Sequence, residues 1–356
     1  MGSALGNPLA AGPAAAGLAG IAATFAALRA EVHHAATQAA TTLGAASIAS
    51  SQDGASAGAG DADSYETAPL DDRDIAWIRR QADGNVSWPD VRQGTIGDCY
   101  LLATLQAYSD TEEGRQALRD QVRWEESQNA FVVTFHDGDQ EVEITVDDYY
   151  TSGNQENKNG YPSIINIYER AYAEYLKDHT SDNTLAGGWP GEAMESISGE
   201  GTQTVSTDGW GWGRWGFLPY PRHYNQHEYT EEEWDTIEEA VEERRPVVGS
   251  TSGGDFDGKG AEVEATVDAN GDGVIDSEEA NSPEQRLIVG GEWDGQKGED
   301  GHAYTVVAVD EEHVTLYNPW DTNPDENGKN TGGGTIQISR EDYERYFART
   351  DIGQAP

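Results

Sequence analysis

The hydrophobic pattern divides the chain near residue 64 into two unlike parts. Upstream of that point, apolar residues recur every three or four positions, at Leu18, Ile21, Phe25, Leu28 and Val32. This spacing is typical of one face of a helix. Residues 1–49 are therefore predicted to be an alanine-rich amphipathic helical arm. Residues 50–64, rich in Ser, Gly, Ala and Asp, predict a disordered linker, and residues 65–350 predict a folded core.

The arm is expected to bind a partner helix or the core through residues 18–39. Basic residues do not precede its apolar region, which is unlike a signal peptide. Alanine is too weakly apolar to favour a membrane span. The compartment stays open between the cytoplasm and a non-classical export route.

Within the core, the pattern predicts both helices and strands. Two apolar runs, residues 131–135 and 142–146, predict a hairpin. A helix is predicted from Ser163 to about Leu176. Thr230 with Glu233 is a capping-box pair that predicts the start of a helix ending near residue 245. A strand is predicted over residues 246–250.

Charge is the most unusual feature of the composition. The 356 residues include 22 Lys and Arg against 65 Asp and Glu, a net charge of −43. Such a surface repels nucleic acids and anionic membranes, so neither is an expected partner. The imbalance fits either a salt-adapted organism or a high-GC bacterium.

The chain has one cysteine, Cys99, which excludes an internal disulfide and a zinc site built on several thiolates. It lies in the segment QGTIGDCYLLATL, residues 93–105. A helix is predicted from Cys99 to about Tyr108, with Asp98 capping it. The first turn of a helix stabilises a thiolate through backbone N–H groups and the dipole. Gln93 is placed to donate its side-chain amide to an oxyanion formed by thiolate attack on a carbonyl.

Two predicted strands supply the partners that a nucleophilic thiol needs. The segment GHAYTVVAV, residues 301–309, places His302 at the mouth of one strand, and EHVTLYNPW, residues 312–320, ends the next at Asn318. An imidazole base requires a third group that fixes its tautomer. Proline after Asn318 restricts that residue to extended conformations. Cys99, His302 and Asn318 therefore form a candidate triad, and Trp320 is expected to shield the Asn–His hydrogen bond from water.

These three blocks, in this order, resemble the signatures of the calpain family of papain-like, calcium-dependent cysteine proteases. Weaker similarity extends the likeness over roughly residues 62–350, as expected for a minimal catalytic core of bacterial or archaeal type. The resemblance implies an α+β fold with two lobes. A helical lobe, residues 65–190, would carry the nucleophile, and an antiparallel β lobe, residues 191–350, would carry His302 and Asn318.

The resemblance also implies substrate contacts. Backbone groups at Gly188 and Gly301 would bind the substrate main chain, and Trp320 would lie between the lobes. Two residues depart from the family pattern: Tyr100 replaces a tryptophan and Asp321 a glycine. The calcium-sensing loops of the animal enzymes have no clear counterpart here.

A separate motif predicts calcium binding. Residues 268–279, DANGDGVIDSEE, satisfy every position of an EF-hand loop. The expected ligands are the side chains of Asp268, Asn270, Asp272, Asp276 and Glu279 and the carbonyl of Val274. The flanking segments are less helical than in a full EF-hand, which favours a single inserted loop.

The sequence therefore predicts a calcium-influenced cysteine endopeptidase acting on proteins or peptides. Transglutaminase-like acyl transfer is the second hypothesis, although Asn-Pro-Trp argues against it. A calcium-binding scaffold with an inactive protease core is the third.

Overall fold

The computed structural model describes residues 65–179, 185–215, 218–225, 227–251, 260–290, 301–325, 327–331 and 333–355. The predicted arm, residues 1–49, and the predicted linker, residues 50–64, lie outside the described residues. In the described part, no helix is long and apolar enough to cross a membrane.

Seven helices and fifteen strands make up the described part of the chain. The helices are α1 (Asp72–Ala82), α2 (Cys99–Ser109), α3 (Glu112–Asp120), α4 (Ile164–His179), α5 (Pro190–Ser198), α6 (Glu231–Glu242) and α7 (Arg340–Tyr346). The strands are β1 (Thr67–Pro69), β2 (Val122–Glu125), β3 (Ala130–Asp137), β4 (Gln140–Val146), β5 (Asp148–Tyr150), β6 (Gln203–Ser206), β7 (Asp208–Trp215), β8 (Leu218–Asn225), β9 (Val247–Ser250), β10 (Ala261–Val267), β11 (Gln285–Val289), β12 (Ala303–Val309), β13 (His313–Tyr317), β14 (Thr335–Ser339) and β15 (Arg349–Ile352).

A first hydrophobic cluster surrounds α2. Leu101, Leu102 and Leu105 on this helix are fully buried, because the helix packs against α5 and against the sheet residue Ala303. Strands β2, β3 and β4 form an antiparallel sheet whose inner side chains join the same cluster. The predicted hairpin and the predicted helix from residue 163 are both confirmed, as β3–β4 and α4.

A second cluster lies on an eight-stranded antiparallel sheet with the order β11-β10-β14-β13-β12-β9-β15-β6. Helix α6 covers part of it through Trp234, Ile237 and Ala240. The predicted capping box is present: Thr230 N–H donates to Glu233 Oε2 over 2.8 Å, and Glu233 N–H donates to Thr230 Oγ1 over 3.3 Å. Strand β9 confirms the strand predicted over residues 246–250.

The strand order of the eight-stranded sheet places both His302 and the EF-hand-like loop. Strand β12, which follows His302, is in the interior of the sheet between β13 and β9. Strands β10 and β11 form an antiparallel pair at one edge, and residues 268–279 lie between them. The EF-hand-like loop is therefore flanked by strands, not by the helices of a full EF-hand. The α+β class is confirmed by this mixture of helices and antiparallel sheets.

Candidate active site

Cys99 is the first residue of α2 and its side chain is half-buried. Helix α2 begins where predicted, with the N–H groups of Leu101 and Leu102 each donating to the Asp98 carbonyl over 3.0 Å. The prediction that the Asp98 side chain caps this helix is wrong, because that side chain makes no capping hydrogen bond. It turns into the protein and is fully buried.

The buried Asp98 carboxyl lies against the carboxyl of Glu169, a fully buried residue of α4. Glu169 accepts hydrogen bonds from the Gln155 N–H over 2.8 Å and from Asn166 Nδ2 over 3.0 Å. Burial raises the pKa of Asp98 to about 7 and raises the pKa of Glu169 well above its usual range. Two carboxyls in dry contact disfavour double ionisation, so the pair retains a proton at acidic and neutral pH.

His302 and Asn318 are joined by a hydrogen bond, with 2.9 Å between His302 Nε2 and Asn318 Oδ1. The amide oxygen can only accept, so Nε2 carries the hydrogen. In the neutral ring, Nδ1 then keeps the lone pair that a general base needs. The sequence predicted this pairing of imidazole and amide.

The orientation of the Asn318 amide is set by further hydrogen bonds. Its Nδ2 donates to Asn323 Oδ1 over 3.1 Å, and the Trp320 N–H donates to its Oδ1 over 3.1 Å. Asn323 in turn donates from Nδ2 to the Gly334 carbonyl over 3.0 Å. Both asparagines are fully buried. Sequence reasoning missed Asn323, whose only signal is its place five residues after Asn318.

Aromatic rings enclose the imidazole. Trp320 stacks on His302 with 4.1 Å between ring centroids and 25° between ring planes, and Tyr304 packs edge-on at 4.8 Å. This burial lowers the pKa of His302 to about 4, while the hydrogen bond that His302 donates to Asn318 acts in the opposite direction and raises it. The position of Trp320 is the one expected for a shield over the His–Asn hydrogen bond.

The nucleophile helix and the histidine strand are in direct contact. Thr305 Oγ1 donates to the Ala103 carbonyl over 2.9 Å, which joins β12 to α2. Burial raises the pKa of the Cys99 thiol to about 12, although the Ala303 N–H beside the sulfur lowers it. Among the described residues, no hydrogen bond joins Cys99 Sγ to the His302 ring. The resting site thus holds a neutral thiol and a neutral imidazole.

Gln93 lies in the loop before α2 and is almost fully buried. Its Nε2 donates to the Ile96 carbonyl over 2.7 Å, and its backbone N–H donates to the Pro319 carbonyl over 2.7 Å. The bond to Ile96 fixes the amide, and the Gln93 side chain also lies beside the buried Asp98 carboxyl and lowers its pKa. Gln93 Oε1 is buried and has no hydrogen-bond partner among the residues that the structure describes.

The two candidate substrate-binding glycines, Gly188 and Gly301, are both exposed. A Cβ at Gly188 would lie 2.6 Å from the ring of Tyr100, closer than side-chain atoms approach one another. A side chain is therefore excluded there, which keeps the backbone of residue 188 accessible.

A family model described as calpain family cysteine protease matches residues 73–331 of this chain. The chain belongs to the calpain family. The matched range contains Gln93, Cys99, His302 and Asn318, and it also contains the EF-hand-like loop. A search of curated proteins finds no significant match.

Membership of the calpain family makes the chain a cysteine endopeptidase with protein or peptide substrates. It also implies a papain-like fold, with which the observed α+β architecture agrees. The family is generally calcium-regulated, so the loop at residues 268–279 is the place to test for the ion.

The oxygens of this loop are held by its own backbone. Asp268 accepts from Gly271 and Gly273 over 2.7 Å each, and Glu279 accepts from Ala269 over 2.7 Å. Asp268 and Glu279 are buried, while Asn270, Asp272 and Val274 are exposed. In the part of the chain that the structure describes, no group of three or more His, Cys, Asp or Glu side chains is placed to hold a metal. The donor set is the hard oxygen set that calcium prefers, and it fits the ion by chemistry and chain order.

Proposed function

We propose that this calpain-family protein hydrolyses peptide bonds through a Cys99–His302–Asn318 triad, with Gln93 binding the oxyanion. The observation that carries the proposal is the 2.9 Å hydrogen bond between His302 Nε2 and Asn318 Oδ1, enclosed by Trp320. This hydrogen bond leaves Nδ1 as the basic atom of the ring. His302 directly precedes β12, the strand that packs on α2, the helix of Cys99.

The residue roles follow from this protonation state. His302 Nδ1 takes the thiol proton of Cys99 as the sulfur attacks the carbonyl carbon of the scissile bond. The negative charge that develops on the substrate oxygen is met by the Gln93 amide and the Cys99 N–H at the start of α2. The imidazolium then gives its proton to the leaving amine, and water, activated by the same ring, releases the acyl group.

Both partners are neutral at rest, so the thiol proton passes to Nδ1 only as the sulfur attacks the substrate carbonyl. The pKa of Cys99 is raised to about 12 and that of His302 lowered to about 4, both by burial. Each charged form stabilises the other once they are adjacent. The Asn318 carbonyl oxygen stabilises the imidazolium through the hydrogen on Nε2.

Cys99→Ala and His302→Ala test the proposal. Each should abolish hydrolysis of a casein-type substrate without loss of the fold, measured by circular dichroism. An epoxide or peptidyl-ketone thiol inhibitor should label the wild-type protein stoichiometrically and leave Cys99→Ala unlabelled. Near-normal hydrolysis in either variant contradicts the triad. Amine incorporation in excess of hydrolysis supports acyl transfer instead, and an absence of labelling supports the scaffold.

We also propose that residues 268–279 bind one calcium ion. Asp268, Asn270, Asp272, Asp276 and Glu279 would supply side-chain oxygens and Val274 its carbonyl, with Gly273 at the position where EF-hand loops turn sharply. Gly273 has φ of 87°, as that turn requires. Calcium would supply positive charge that holds these oxygens together and so stabilises the edge pair β10–β11.

A further inference from the structure

The residue after Trp320 has a left-handed backbone: Asp321 has φ of 57°. Glycine adopts this region freely, and aspartate adopts it at a steric cost that local polar contacts offset. The contacts that Asp321 makes in this position are with the loop that precedes the nucleophile.

The Asp321 carboxylate binds Arg92. Its Oδ2 accepts from Arg92 Nε over 3.1 Å and from Arg92 Nη2 over 2.5 Å, and its Oδ1 lies 3.3 Å from the Tyr317 hydroxyl. The Asp321 carboxylate raises the pKa of Arg92, as expected for a direct ion pair. Both side chains are partly shielded from solvent.

Two neighbouring contacts reinforce this ion pair. The Tyr317 hydroxyl donates to the Val91 carbonyl over 2.9 Å, and the Gln93 N–H donates to the Pro319 carbonyl over 2.7 Å. All three residues of the segment 91–93 are thus bonded to the segment 317–321. We call these three connections the clasp.

The other side of segment 91–93 is anchored to the loop that precedes α4. The Arg92 N–H donates to Gln155 Oε1 over 2.7 Å, and the Arg92 carbonyl accepts from the Glu156 N–H over 2.8 Å. The segment is therefore held on both sides, and its last residue is Gln93, the proposed oxyanion donor. Releasing the clasp frees the side that faces Asn318 and Trp320.

We propose that Arg92 and Asp321 are positioning residues that hold Gln93 at the distance from His302 and Asn318 that oxyanion binding requires. This inference rests on the proposed role of Gln93. Neither side chain touches the reacting atoms. They act by fixing the Gln93 loop to the loop that carries Asn318 and Trp320.

The test compares amide hydrolysis with alkylation of the same thiol. Iodoacetamide reacts with Cys99 without forming an oxyanion, so its rate reports on sulfur and imidazole alone. Arg92→Met and Asp321→Asn should each lower kcat for a peptide amide about 10-fold, with KM and the alkylation rate unchanged. Asparagine keeps the size of the aspartate and tolerates left-handed backbone, so Asp321→Asn removes the charge alone.

Arg79→Met is the matched control. Arg79 forms an exposed pair with Glu126 at 3.0 Å, away from the candidate site, so its loss should leave kcat unchanged. If Arg92→Met fails to fold, as judged by its melting curve, Asp321→Asn provides the same comparison.

A Gln93→Ala background makes the test specific. If the clasp acts through Gln93, adding Asp321→Asn to Gln93→Ala causes no further loss of kcat. An equal 10-fold loss in that background overturns the proposal, as does a parallel fall in the alkylation rate. Hydrolysis that survives Cys99→Ala would instead refute the proposed function and would leave the clasp without a reaction to assist.

Discussion

The Asn318 side chain is bonded on both sides, with its Oδ1 2.9 Å from His302 Nε2 and its Nδ2 3.1 Å from Asn323 Oδ1. An amide turned by 180° would present N–H groups to the N–H of His302. The bond to Asn323 therefore selects the orientation in which oxygen faces the imidazole. Because both amides are fully buried, water does not compete for these bonds.

Asn323→Ala should lower kcat about 10-fold, because the released Asn318 amide no longer holds one orientation. Asn323→Ser, which keeps an acceptor, should recover part of that loss. The measurement is kcat for a peptide amide alongside the melting temperature, and Asn85→Ala, at an exposed position, is the control. Unchanged kcat in a folded Asn323→Ala protein would remove Asn323 from the site.

Trp320→Ala should move the acid limb of the kcat/KM profile to higher pH. Burial under this indole contributes to the lowered pKa of His302, so opening the ring to water lets that pKa rise towards its ordinary 6.5. Trp320→Phe retains a stacking ring and should shift less. A pH profile identical to that of the wild type would show that Trp320 does not control solvation of the base.

His302 should make stability depend on pH. Between about pH 4 and 6.5 the unfolded imidazole holds a proton that the native one lacks, so the native state loses stability as pH falls through this range. Relative to His302→Gln, the wild type should lose about 3 kcal/mol of unfolding free energy between pH 7 and 4. Urea titrations at several pH values measure the difference, and parallel curves for the two proteins would contradict the assignment.

Asp98 should have the opposite effect. Its pKa is raised from 3.8 to about 7, so between these values the native state holds a proton that the unfolded state has lost. Its contribution to stability therefore falls as pH rises through this window. Asp98→Asn cannot ionise and should gain stability relative to the wild type as the pH rises from about 4 to about 7. His302 changes the stability of the wild type in the opposite direction over a similar pH range, so the effect of Asp98 has to be read from the difference between Asp98→Asn and the wild type. If that difference in melting temperature does not vary with pH, the carboxyl pair does not retain a proton.

Calcium should raise the melting temperature if residues 268–279 bind it, because a ligand that binds the native state stabilises that state. Glu279→Gln should remove most of this shift, since Glu279 is the residue expected to bind with both oxygens. Glu278→Gln, at the exposed neighbouring position, is the control. Melting curves that coincide in calcium and in chelator would end the proposal.

Local patterns predicted the elements that carry the site. The Cys99 helix, the hairpin β3–β4 and the two strands after His302 and before Asn318 all come from spacing within short segments. The β10 strand was missed, although Val263, Ala265 and Val267 alternate with polar residues and are buried. That period of two was the available signal.

Contacts between distant segments could not be predicted in the same way. Asp98 has the residue type and position of a helix cap, yet its side chain meets Glu169 on another helix. Arg92 and Asp321 are far apart in the chain, and nothing near either residue indicates the other. Such pairs depend on how the two hydrophobic clusters bring their loops together.

The Gly334 carbonyl accepts hydrogen bonds from both the Asn318 N–H and Asn323 Nδ2. Its neighbour Thr335 accepts from the Asp268 N–H over 3.2 Å, and a Cβ at Gly333 would lie 3.0 Å from the Asp268 carbonyl. One short stretch of backbone thus touches the edge loop on one flank and the buried amide pair on the other. A side chain at 333 would press on Asp268 and Gly271 of the acidic loop, while one at 334 would meet the Asn318 carbonyl at 2.9 Å, so two adjacent glycines allow this stretch to pass between the loop and the histidine's support.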